Sequence, residues 1–220
     1  MSVDRRTLLQ QALAAALVTS ASGMSLAAGQ AEDSGSSLLK RMSWLNPPAS
    51  TRQSGAQLVV RSGGKTDFWR KTFYGYITDN GHFFGLPVEG DFLFQARVNG
   101  QYAALYDQAG IMVRLDERQW MKCGTEFVDG QRNASVVFTH DFSDWSTLPD
   151  LSQSAPVWWR VVRRKDSIET HCSADGAKFL VVRQGYFPPA VRVNVGIMCA
   201  APEGPGFEAT FDELRLGPPA

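Results

Sequence analysis

The sequence predicts an all-β protein built from two stacked antiparallel sheets, and three observations predict it. Short alternating runs rich in Val, Phe, Tyr and Ile recur along the chain. Between them stand Asn80-Gly81, Asn99-Gly100, Asp129-Gly130 and Asp175-Gly176, dipeptides that suit two-residue hairpins because both central positions need positive φ. No run keeps a helical apolar period for more than about a dozen residues.

In chain order the strand-like runs are KTFYGYIT (71–78), GDFLFQARV (90–98), AGIMVRL (109–115), KCGTEFV (122–128), ASVVFTH (134–140), WWRVVRR (158–164), SIETHC (167–172), KFLVVRQ (178–184) and VRVNVGIMC (191–199). Roughly a dozen strands are expected, enough for a sandwich that buries a sizeable core without disulfide or metal. The adjacent indoles of Trp158 and Trp159 fall on opposite faces, one in the core and the other under arginine or serving as a binding platform.

The first 31 residues differ in kind. Arg5 and Arg6 precede a modestly apolar run that ends in small residues, with cleavage expected after Ala27 or Ala31. The arrangement DRRTLL resembles a bacterial twin-arginine export signal, departing from it at Asp4 and Leu8. Sec export and an uncleaved amphipathic N-terminus are the alternatives. The expected organisation is a signal peptide over 1–31, a flexible leader over 32–41 and one domain over 42–220, located in the periplasm or secreted, with no membrane association after cleavage.

Lys and Arg number 22, as do Asp and Glu. That balance supplies no field to gather a polyanion, which argues against nucleic acid as a partner. Cys123, Cys172 and Cys199 sit within strand-like runs, where a small buried hydrophobe is expected; a Cys172–Cys199 disulfide stays open in an oxidising compartment. No CxxC or HxxxH spacing occurs, so no metal site and no cofactor is expected. Asp141 and Asp144 can bind calcium with loop carbonyls or cap a turn over Trp145.

Alternation also assigns faces. In 108–115, Ala109, Ile111, Val113 and Leu115 share the core side, while Gln108, Gly110, Met112 and Arg114 share the other. The next runs bury Met121, Cys123, Thr125, Phe127, Ala134, Val136 and Phe138, and turn Trp120, Lys122, Gly124, Glu126, Ser135, Val137 and Thr139 outward. If the three strands are neighbours, one face gathers Gln108, Arg114, Trp120, Lys122, Glu126 and Thr139. Two readings compete: a solvated face with Lys122 and Glu126 as cross-strand partners, or a ligand groove with Trp120 as an aromatic wall and Gly110 and Gly124 leaving room above the sheet.

The segments TDFWRKTFYGYITDNGHFF, YDQAGIMVRLDERQWMKCGTEFVDG, SVVFTHDFSDWS and GFEATFDELRL resemble a concanavalin A-like family known as domain of unknown function 1349, over about residues 42–217. Its fungal members are called regulation of enolase protein. The matching positions are Asp67, Phe68 and Trp69; Tyr106, Asp107, Gln108, Ala109 and Gly110; Trp120, Lys122, Gly124 and Glu126; and Ser143, Asp144 and Trp145, with Thr125 departing where a branched aliphatic is expected. The resemblance implies a jelly-roll β-sandwich with a concave sheet and supplies no reaction.

The expected function is non-catalytic, lectin-like carbohydrate recognition on the concave sheet through Gln108, Arg114, Trp120, Lys122, Glu126 and Thr139. A polysaccharide lyase using Tyr106, Lys122, Arg114 and Gln108 is one alternative. A hydrolase is weaker, because a second outward carboxylate beside Glu126 is not evident. A protein-interaction module with an unspecified partner is the third. His82, His140 and His171 lie in separate segments, which argues for structural roles.

Overall fold

The computed structural model describes residues 32–149, 151–189 and 192–219. The export signal read on residues 1–31 lies outside them. The chain runs through β1 (Asp33–Ser34), α1 (Gly35–Arg41), β2 (Ser43–Leu45), β3 (Ser50–Ser54), β4 (Gln57–Arg61), β5 (Phe68–Arg70), β6 (Ile77–Asp79), β7 (His82–Val88) and β8 (Phe92–Gly100). It continues through β9 (Gln108–Arg114), β10 (Gln119–Val128), β11 (Gln131–His140), β12 (Phe142–Pro149), β13 (Val157–Arg164), β14 (Ser167–Ser173), β15 (Leu180–Tyr186), β16 (Val193–Ala200) and β17 (Glu208–Gly217).

Two antiparallel sheets stack as a β-sandwich, as expected. The first orders its strands β15, β14, β13, β8, β17, β4, β3, with β1 beside β17; the second orders them β12, β11, β10, β9, β16, β7, β2. Strands β5 and β6 form a separate hairpin. The inner faces interdigitate Phe94, Trp159 and Val161 of the first sheet with Ile111, Val113, Val136 and Ile197 of the second. Each such fully buried side chain contributes ~1.5–3 kcal/mol by leaving water. Among the described residues, no helix is long and apolar enough to cross a membrane.

The turn dipeptides behave unequally. Asp129 and Gly130, at φ 53° and 79°, join β10 to β11 with Val128 opposite Gln131, the two-residue hairpin that their chemistry predicts. Asp175-Gly176 instead lies in a longer loop, where the Asp175 carboxylate accepts from the amides of Ala177 and Lys178. Asn99-Gly100 ends β8 inside a ladder. Asn80 braces the neighbouring segment, accepting from the Asp67 amide and donating to the Lys65 carbonyl.

Two expectations are corrected. Residues 35–41 are not a flexible leader: they form α1, because Leu38 and Leu39 are apolar, adjacent and fully buried against the sandwich. In KTFYGYIT only the end is strand; Lys71, Phe73 and Gly75 take positive φ, and the amides of Gly75 and Lys71 close a tight turn onto Lys71 and Tyr76 carbonyls. The run alternates because its aromatics decorate a loop, not because it is paired.

Trp159 is core, whereas Trp158 lies beneath Arg97 and donates its indole N–H to Glu213. Cys123, Cys172 and Cys199 are buried and form no disulfide, so the Cys172–Cys199 bridge is not made, and burial pushes the Cys199 thiol up to about 12.

Candidate functional site

The register of the second sheet sets Gln108 opposite Glu126, Met112 opposite Lys122, Arg114 opposite Trp120, and Trp120 opposite Thr139. All six residues expected to share a face do share one. That face is not in water, however. Residues 67–79, including the β5–β6 hairpin, lie across it, and none of the six exceeds 8% exposure. Phe68 and Trp69 pack down onto Phe83, Met112, Trp120, Val137 and Met198, a second apolar cluster outside the sandwich proper.

This covering divides the six. Arg114, Trp120 and Thr139 are structural anchors: the Arg114 guanidinium makes two 2.7 Å bonds to the Asp79 carboxylate, Trp120 packs against Phe68, and Thr139 bonds Ser143. The Ser143 hydroxyl in turn receives the Arg70 amide, so β12 is tied to the hairpin above it. Trp120 is therefore buried floor and not the aromatic wall that was expected. Nor do Gly110 and Gly124 open space for a ligand. They face each other across β9 and β10, and a Cβ on Gly124 would come within 2.7 Å of the Gly110 Cα; their smallness serves close strand approach.

Gln108, Lys122 and Glu126 do meet, at the bottom of a pocket of about 30 Å³. Its remaining walls come from Val137 of β11 and from residues outside the expected six: Asp67 and Trp69 of the covering segment, Tyr74 and Tyr76 of the tight loop, Tyr106 before β9, which entered only the lyase alternative, and Trp145 on β12. All of them except Val137 occur in the motifs DFW, YGY, YDQAG and SDWS. The one signal that could have flagged them is the density of aromatics, set beside an Asp in DFW, YDQAG and SDWS but not in YGY.

The polar floor is tightly connected. Lys122 Nζ donates to the Phe68 carbonyl at 2.8 Å and to Asp67 Oδ1 at 3.3 Å. Gln108 Nε2 donates to the same carboxylate oxygen at 3.4 Å and to the Tyr106 carbonyl at 3.2 Å. The second carboxylate beside Glu126 is thus Asp67, carried in from outside the sheet. Trp145 Nε1 donates to Glu126 Oε2 at 2.9 Å and to Ser135 Oγ at 3.1 Å. Burial holds the Glu126 carboxyl above its ordinary range, a rise that the nearby Lys122 ammonium partly offsets.

The rim is aromatic. Tyr74 stacks on Tyr76 at 5.5 Å and meets Trp69 edge-on at 5.7 Å. The Tyr74 and Tyr106 hydroxyls lie 3.2 Å apart, and this bond pushes the Tyr106 phenol up to about 12. Tyr106 in turn stands edge-on to Trp145. Beyond the rim a shallow groove of about 570 Å³ continues over Thr72, Phe73, Phe142, Ser143 and Asp144.

The two acids considered as calcium ligands are engaged otherwise. Asp141 pairs with Arg70 and Lys71, and Asp144 with Arg183. Among the described residues, no group of three or more His, Cys, Asp or Glu is placed to hold a metal ion. His82 bridges the approach to the covering segment and the body: its Nδ1 lies 2.7 Å from the Asn46 carbonyl, and the Gly63 amide donates to its Nε2.

A family model described as Protein of unknown function (DUF1349) matches residues 44–219. Regulation of enolase protein 1 of Saccharomyces cerevisiae is 41% identical over 181 residues, which is 82% of this chain and 91% of the yeast protein. A crystal structure of a functionally unknown protein from Saccharomyces cerevisiae, also 41% identical, superposes with a TM-score of 0.80 over 83% of this chain and 98% of that one. The GH43 BlXynB protein from Bacillus licheniformis shares the fold at a TM-score of 0.62 and 14% identity, over 80% of this chain and 36% of that one. The yeast relatives correct the expectation of bacterial export to a periplasmic or secreted location, since they come from a eukaryote.

Proposed function

We propose, from the premise that the chain belongs to the DUF1349 family, that it is a non-catalytic carbohydrate-recognition domain working at the pocket on the outer face of the second sheet. One observation carries the reading: a hydrogen-bonding floor of Asp67, Gln108, Lys122 and Glu126 lies directly beneath a rim of Tyr and Trp rings. Hydroxyls bridge charged and amide groups, while the apolar faces of a sugar stack on aromatic rings. A pocket of about 30 Å³ admits only a substituent the size of one or two waters. The ring itself therefore rests on the rim, with Trp69, Tyr74 and Trp145 shared between pocket and groove.

Binding without turnover fits the state of the acids. Asp67 is occupied by Lys122, Gln108 and its neighbour's amide, and a carboxylate so engaged is poorly placed to act as nucleophile or base. A glycan array probed with the full chain tests the proposal. Binding that is lost in Tyr74→Ala, with an unchanged unfolding midpoint, supports it; no glycan signal overturns it.

A second reading, a polysaccharide lyase or hydrolase with Glu126 as proton donor, draws on the raised pKa of that buried carboxyl. New reducing or unsaturated ends after incubation with polysaccharides select it.

A further inference from the structure

We infer that the pocket takes a primary ammonium group, so that the ligand recognised at the rim is an amino sugar; this rests on the carbohydrate reading above. Size, charge and ring faces point the same way. An ammonium group is close to a water molecule in size, and the pocket of about 30 Å³ holds such a group where a sugar ring does not fit.

The ionisable groups lining the pocket, apart from its tyrosines, are Asp67, Glu126 and Lys122. With both acids ionised, the lining carries one more negative charge than positive. Lys122 hydrogen-bonds Asp67 and the Phe68 carbonyl and only partly offsets the cost of burying Glu126, whose hydrogen-bond partners, the Trp145 indole N–H and the Ser135 hydroxyl, are neutral. Desolvation is costly for such a carboxylate, and an incoming cation relieves that cost directly. Two other cations that approach this face are committed elsewhere, Arg114 to Asp79 and Arg70 to Asp141.

The rings supply the remaining attraction. Trp69, Tyr74, Tyr76, Tyr106 and Trp145 surround the entrance, and aromatic faces attract cations through their quadrupoles, most strongly where water is excluded. A neutral hydroxyl or an N-acetyl group, carrying no net charge, gains less from this field, and the acetyl group is too large for the space.

Calorimetric titration of the full chain with equal-length oligomers of glucosamine, N-acetylglucosamine and glucose tests the inference. The glucosamine oligomer is expected to bind about ten-fold more tightly than either neutral oligomer. In Glu126→Gln that preference is expected to fall below about three-fold. Tyr74→Ala, a change on an exposed loop, weakens the glucosamine oligomer and serves if the Glu126 variant misfolds. Equal binding of the neutral oligomers, or a preference that survives in Glu126→Gln, overturns the ammonium inference and leaves the carbohydrate reading standing. Binding of none of the three overturns both.

Discussion

Trp145 reaches across β11 from the edge strand and donates its indole N–H to Glu126 at 2.9 Å, closing the pocket over the acid. An edge-strand aromatic thereby fixes the orientation of a buried carboxylate two strands away. It also makes that carboxylate, which burial disfavours, a sensitive reporter of the site.

The first prediction concerns pH. The folded state raises the Glu126 pKa above its ordinary 4.5, so it binds that proton more tightly than the unfolded chain does. The stability tied to this group is full below pH 4.5 and is lost as pH rises through the folded value. Glu126→Gln removes the loss while keeping an acceptor for Trp145. Its urea midpoint relative to wild type is expected to be more favourable at pH 7 than at pH 4; an offset that does not change with pH would falsify this.

Lys122 is the one ammonium set between two buried acids. Lys122→Met leaves Asp67 and Glu126 without it and is expected to cost ~3–5 kcal/mol of unfolding free energy. Combined with Glu126→Gln, the loss should be smaller than the sum of the single changes, because part of the cost is the uncompensated acid. A double-mutant cycle measured by chemical denaturation checks this, and strict additivity speaks against the coupling.

Floor and rim are separable by mutation. Trp120→Ala, at a side chain 1% exposed beneath Phe68, is expected to cost ~3–5 kcal/mol. Tyr74→Ala, at 43% exposure, should stay within about 1 kcal/mol while altering the pocket's ligand affinity. Thermal melts of the two variants distinguish them, and comparable losses would contradict the division.

Alternation in the sequence was enough to place Gln108, Arg114, Trp120, Lys122, Glu126 and Thr139 on one face, because successive side chains of a strand must point to opposite sides. Asp129-Gly130 was legible for the same kind of reason, a local backbone requirement. The fate of Asn80-Gly81 and of the run at 71–78 was not, since whether such a segment pairs or covers depends on what lies beneath it. Asp67 illustrates the limit: it meets Lys122 across 55 positions of chain.

The sequence by itself thus determined the two-sheet sandwich and the sidedness of β9, β10 and β11, both consequences of a two-residue period acting over short distances. Only the tertiary structure decided that this face is roofed, that Trp120 and Arg114 hold the roof down, and that Asp67, Tyr74 and Trp145 complete the pocket. Those outcomes rest on packing between segments far apart in the chain, where no local periodicity carries information.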